Sequence, residues 1–266
     1  MNDTIHYAVD SDGIALLTID LPGKPVNVLT PELMADLEEL TRRATADDAV
    51  KGMVLTSGKK AFIAGADIKD MVTAYDRGIS KKEAAGFSAE LNRVLRGMET
   101  CGKPVACAIN GLALGGGLEV TLACHYRVLA NDTGAVVGFP EVNIGLLPGA
   151  GGSQRTPRLI GFRNAAAMIL QCRNQGPEQA LEIGLVHELA PAAEIVERAK
   201  RWILESGDPE QPWDKKGFKI PGGGINHPAV AQVFMGGNAL IAKNTKHNYP
   251  APIAAQSAMF EGCATS

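Results

Sequence analysis

Apolar residues along the chain fall into two alternating rhythms. Short apolar or β-branched runs read as strands: residues 14–20, IALLTID, closed by Pro22-Gly23; residues 52–57, with MVLT at the centre; residues 105–109; and residues 126–130. Between them apolar positions recur at helical spacing. Thr30 stands as an N-cap with Pro31 at the first helical position, and Leu33, Leu37 and Leu40 carry a helix through Arg43. Ser80 caps a longer amphipathic helix with Phe87, Leu91, Val94, Leu95 and Met98 predicted on one face. Further helices are predicted from about Ile68, over 116–124, and near 164–171, 177–183 and 193–205. A short extended piece ends at Phe139-Pro140-Glu141, and residues 146–152, LLPGAGG, form a tight loop. This alternation predicts α/β layering up to about residue 205. Residues 207–224 then become dense in Pro, Gly and Lys and read as a linker or extended arm, followed by one more helix over 229–243.

Composition narrows the picture by exclusion. At 266 residues and 45% apolar the chain can bury the core of one large domain. A net charge of -3 leaves no electrostatic footprint for nucleic acid. Five cysteines, an odd number without CxxC spacing, read as free thiols in a reducing compartment. The polar, acidic start MNDTIHYAVDSD is no signal or transit peptide, and the uncharged run over 104–118 is too short and glycine-rich to span a bilayer. A cytoplasmic chain with no membrane span is expected. The histidines at 6, 125, 187, 227 and 247 do not fall in metal-ligand spacing, so no metal site is expected. His125 adjoins Cys124, but neighbours on a regular element point apart. GAGGSQ, residues 149–154, resembles a dinucleotide fingerprint but fails it. Gln154 stands where a third small residue is needed and no strand immediately precedes it, so a loop opening a helix is the better reading.

Candidate chemistry concentrates in residues 110–119, NGLALGGGLE. A lone carboxylate, Glu119, follows a wholly uncharged stretch that ends in Gly115, Gly116 and Gly117. A buried glutamate must find donors or shift its pKa. The glycines let backbone approach a ligand closely at what reads as a helix start, where N–H groups lack internal partners. A free N–H at Gly116 with a carboxylate one turn on suggests chemistry at a carbonyl. The plainer readings are tight turns and helix packing for the glycines, and structural hydrogen bonds for Glu119.

These stretches together resemble the crotonase (enoyl-CoA hydratase/isomerase) family. The matching residues are AFIAGADI at 61–68, NGLALGGGLE at 110–119 and FPEVNIGLLPGAGGSQRTPRLIG at 139–161, in the family's order and separation, over roughly residues 5–205. The resemblance implies a spiral of ββα turns with a C-terminal helical or extended appendage. The ligand it implies is an acyl-CoA thioester, so coenzyme A is part of the substrate and no separate cofactor is expected. QPWDKKGFKIPGG, residues 211–223, is similar to the connection between hydratase and dehydrogenase domains in multifunctional fatty-acid oxidation enzymes. Residues 1–205 are accordingly expected to form a hydratase domain, and 206–266 a linker and helical tail of an excised or truncated chain. Homo-trimers or hexamers, or a complex with a thiolase subunit, are the assemblies implied.

The resemblance also assigns roles. Hydrating a 2-enoyl thioester requires a water activated toward C3, stabilised negative charge on the thioester oxygen, and a proton for C2. The N–H groups of Ala66 and Gly116 are implied as the oxygen's donors, and losing one such donor costs roughly 3 kcal/mol. Glu119 and Glu141 match the two family acids, with Glu119 expected as base toward water and Glu141 as acid toward C2. On the residues alone, Glu141 reads as an ordinary loop glutamate; its register with FPE reverses that. Phe62, Ala64, Gly65, Asp67, Ile68 and Gly115 are implied at the substrate, although an N-cap is the plainer reading of Asp67. Lys59, Lys60 and Lys69 suit either CoA phosphates or a solvated cluster. Within the fold, a Δ3,Δ2-enoyl-CoA isomerase needs only one base, so the presence of both glutamates favours hydration. A non-catalytic docking module is the remaining alternative.

Overall fold

A computed structural model describes residues 3–265. Strands β1 (Ile5–Val9) and β2 (Ile14–Ile19) form an antiparallel hairpin. Helix α1 (Pro31–Ala46) follows, with the Thr30 side chain accepting from the Leu33 N–H and Pro31 at its first turn. Then come β3 (Gly52–Ser57), α2 (Ile68–Asp76), α3 (Lys81–Glu99), β4 (Val105–Ile109), β5 (Ala113–Leu114), α4 (Gly116–Leu122), β6 (Tyr126–Ala130) and β7 (Val137–Gly138). A 3₁₀ turn over Glu141–Ile144 precedes α5 (Gly152–Leu170), α6 (Pro177–Glu182), β8 (Glu188–Ala190), α7 (Ile195–Ser206), α8 (Pro228–Thr245) and α9 (Ala251–Ala264).

The main sheet runs β1-β2-β3-β4-β6-β8, parallel from β2 onward, and β5 pairs with β7 in a second, two-stranded parallel sheet. Strand β4 is buried at all five positions, as a central parallel strand must be. Isolated parallel bridges join Ile63, in the loop after β3, to Ala113 of β5, and Ala66 of that loop to Leu29 just before α1.

Most sequence-predicted elements sit within a few residues of their expected ends, and four features differ. Phe87, expected on the packed face of α3, is 54% exposed, while Val94, Leu95 and Met98 are buried. Strands β1, β5 and β8 were not expected; β1 is an edge strand with Ile5 alone buried. Helix α5 begins at Gly152 rather than near 164 and breaks at Gly161, where a Cβ would lie 2.5 Å from the Pro221 carbonyl oxygen. Helix α9 was also unexpected; it lies along α5, with the Gln154 amide donating to the Ala258 carbonyl at 2.7 Å.

Candidate active site

The triple glycine is explained by three close approaches. Gly115 takes φ 54° and ψ -126°, a conformation open to glycine. A Cβ there would lie 2.7 Å from Glu141 Oε1, and one at Gly117 would lie 2.3 Å from the Ile63 carbonyl oxygen. At Gly116 a Cβ would lie 3.1 Å from Leu29 Cδ2 and 3.9 Å from Glu119 Oε2. The carboxyl groups of Glu119 and Glu141, far apart in sequence, therefore converge on the step between Gly115 and Gly116.

Each carboxyl is held differently. Glu119, on the first turn of α4, is buried, and its Oε1 accepts from the N–H groups of Ala150 and Gly152, both at 2.7 Å. Those donors lie at the start of α5, where unpaired N–H groups and the helix dipole favour an anion. The loop that failed as a nucleotide fingerprint thus holds a carboxylate of the same chain. Glu141 opens its 3₁₀ turn half-buried, and its Oε2 is enclosed without a hydrogen-bond partner.

The electrostatics follow. Burial pushes the Glu119 carboxyl up to about 7, against the opposing N–H bonds from Gly152 and Ala150 and the Arg155 charge. Burial, reinforced by the negative charge of Glu119, pushes Glu141 up to about 8, against its own backbone N–H. The group with donors ionises first, and its charge then keeps the proton on the other. Beside this pair, neither the Ala66 N–H nor the Gly116 N–H meets an acceptor among the described residues. Leu29 lies between them, bridged to Ala66 and packed over Gly116. One proton shared by two carboxyls, next to two free N–H donors, can move a proton on and off carbon while charge gathers on a nearby oxygen.

Residues 10–207 match the family model for enoyl-CoA hydratase/isomerase. The chain belongs to this family. Among curated relatives, the fatty acid oxidation complex subunit alpha of Shewanella sp. (strain MR-4) is 37% identical over 255 residues, covering 95% of this chain and 35% of the relative. The same-named protein of Shewanella halifaxensis is 38% identical over 254 residues, with the same shares. The chain thus spans about a third of the length of the curated relatives it matches. Among solved structures, Pseudomonas aeruginosa DspI superposes with a TM-score of 0.69 at 30% identity, over 76% of this chain and 74% of that one. An enoyl-CoA hydratase from Bacillus anthracis gives 0.68 at 25% identity, over 99% and 92%. The α/β architecture with its helical C-terminal segment is the crotonase fold of this family.

Of the other residues the family resemblance singled out, Gly65 takes φ 108° and its carbonyl accepts from the Leu29 N–H. Ala64 is half-buried and donates to the Asn27 carbonyl. Asp67 is the N-cap of α2, accepting from the Lys69 N–H at 2.9 Å and pairing with the Lys24 ammonium. Ile68 is 63% exposed on α2. Phe62, expected at the substrate, is fully enclosed in the core and offers its ring to no cleft. Lys59 reaches the carbonyls of Leu21 and Lys24 and so ties down the turn after β2, whereas Lys60 and Lys69 are exposed. His125 is structural. Its Nδ1 accepts from the Val105 N–H at 3.0 Å and its Nε2 donates to the Glu99 carbonyl at 3.0 Å. Among the described residues no group of three or more His, Cys, Asp or Glu is placed to hold a metal ion.

Sequence reasoning missed the supports. Asn27, fully buried, accepts from the Leu21 N–H and donates to the Ile19 and Phe62 carbonyls, fixing the approach to Ala66. Its signal was one amide inside the apolar PVNVL. The far end of α4 is held by Arg127, fully buried, donating to the Cys124 and Thr121 carbonyls at 2.6 and 3.3 Å, and by the Gln211 amide on the Ala123 and Cys124 carbonyls.

Proposed function

We propose that this chain is an enoyl-CoA hydratase, adding water across the C2=C3 bond of a trans-2-enoyl-CoA to give the 3-hydroxyacyl-CoA. The observation that carries the reading is the pair of raised carboxyls with unequal support, one accepting two N–H bonds from another segment and the other with an enclosed oxygen that accepts none. Near neutral pH that inequality gives one base and one acid in contact with the same space. Glu119 takes a proton from a water whose oxygen bonds to C3. The C2=C3 electron pair moves toward the thioester, and the N–H groups of Ala66 and Gly116 receive the charge on its oxygen. Glu141 then delivers its proton to C2, which restores the thioester and leaves the shared proton count unchanged. The names of the relatives, fatty acid oxidation complex subunit alpha, support an acyl-CoA substrate from fatty-acid oxidation. Assembly as trimers, or with a thiolase subunit when joined to further domains, belongs to the same proposal and is read by the mass of the assembly in solution.

The test is direct. Crotonyl-CoA added to the purified chain should lose its enoyl absorbance as 3-hydroxybutyryl-CoA accumulates. Conversion of a 3-enoyl-CoA to the 2-enoyl form without hydration would move the assignment to isomerase, and no turnover of either would leave a docking module.

A further inference from the structure

The N–H groups that hold Glu119 do not point at it unaided. A trans peptide is planar, so its C=O and N–H point in opposite directions, and whatever grips one aims the other. The Ala150 N–H shares its peptide with the Gly149 carbonyl. That carbonyl accepts from the Asn92 side-chain amide at 2.8 Å and from the Ser88 hydroxyl, both on α3. The Asn92 amide also donates to the Ser88 carbonyl at 2.9 Å, which fixes its own rotamer. The Gly152 N–H is aimed otherwise: its peptide partner, the Gly151 carbonyl, accepts from the Gln154 and Arg155 N–H groups within the first turn of α5. One of the two donors on Glu119 therefore depends on a side chain from another helix.

We infer that Asn92 is a positioning residue for this site: by gripping the Gly149 carbonyl it turns the Ala150 N–H onto Glu119 and so sets the basicity of that carboxylate. The inference rests on the proposed role of Glu119 only for its kinetic consequence. The groups facing Glu119 are Glu141 from the 3₁₀ turn and Arg155 from α5, with Leu29 as the apolar neighbour. Arg155 is itself clamped by Glu99 at 2.6 and 3.0 Å and donates to the Ala150 carbonyl at 2.8 Å. Neither charge is changed by a substitution at Asn92, which is neutral and half-buried.

The experiment compares wild type, Asn92→Leu and the double variant Ser88→Ala/Asn92→Leu. Leucine keeps the volume and removes the donor. The readouts are the acid limb of the kcat/KM profile with crotonyl-CoA and the ¹³C NMR titration of the Glu119 carboxyl, assigned by its loss in Glu119→Gln. In Asn92→Leu both should move up by about one pH unit, the weight of one lost hydrogen bond to a charged group, with KM unchanged. The double variant should move further. A lower melting temperature with an unmoved carboxyl titration makes Asn92 a packing residue and overturns the inference. A wild-type chain inactive on enoyl-CoA whose Glu119 titration still shifts in Asn92→Leu sustains the inference and overturns only the catalytic reading.

Discussion

Glu119 and Glu141 are both lifted toward neutrality, yet their surroundings differ in kind. Two N–H groups and a neighbouring guanidinium oppose the burial of Glu119, whereas Glu141 has an enclosed, unpartnered oxygen and a carboxylate beside it. This inequality makes a prediction about stability as well as rate. Both folded values lie above the ordinary glutamate value, so the folded state holds protons that the unfolded chain has lost. Stability from these groups is fully present below about pH 4.3 and is lost as pH rises through about 7 and 8. Glu141→Gln removes the ionisable group but keeps its neutral shape. Its melting temperature relative to wild type should therefore rise between pH 5 and pH 8.5, by about 2–4 °C for each kcal/mol recovered. A difference independent of pH would mean that Glu141 is not raised. The same values predict a bell-shaped kcat/KM profile with limbs near 7 and 8.

At the scale of elements, α4 couples the two halves of the site, since its first N–H and its first-turn carboxylate face the same space. Gly116→Pro removes that N–H at a first helical position, where proline is otherwise well tolerated. The protein should fold and still bind coenzyme A thioesters, with turnover abolished; near-wild-type activity in a folded Gly116→Pro chain would exclude the N–H. Helix α4 was legible because its triple glycine and lone carboxylate stand out from an uncharged run, and α1 and α3 because Thr30 and Ser80 announce their starts. Other elements left no periodic signal. Strand β1 buries one residue in five, and α9 is apolar on nearly every face, so neither shows the expected alternation. The Asn27, Asn92 and Arg127 supports were illegible for a different reason: each acts on backbone carbonyls or N–H groups of segments remote in sequence, which no local pattern records.

The whole molecule joins the tail to the site. Within residues 207–224, expected as a linker or arm, two residues tie the segment to the body: Gln211 is buried under the end of α4 and Asp214 pairs with Arg96 at 2.7 Å. Tyr249 donates to the carbonyl of Val142, the residue after Glu141, at 2.6 Å. A cavity of about 700 Å³ opens there between α5, α8 and α9, lined by Val142, Leu170, Leu240 and Tyr249. Deleting the chain after Glu205 should therefore expose the apolar face of α5, lower the melting temperature and change the kinetics with longer acyl chains. A deletion variant with unchanged melting and unchanged kinetics would make the tail dispensable.

Only the complete fold brings Glu119 and Glu141 together, since they belong to separate segments that meet at Gly115. The most direct test of their joint action is the rate at which Glu141→Gln hydrates crotonyl-CoA. Loss of one group of an acid–base pair should cut that rate by at least about 10²-fold. In the proposed mechanism the two act as a unit, so adding Glu119→Gln should cost little more than the worse single change. Normal hydration by Glu141→Gln would contradict the account, remove Glu141 from the chemistry and leave a single-base isomerase as the better reading of this site.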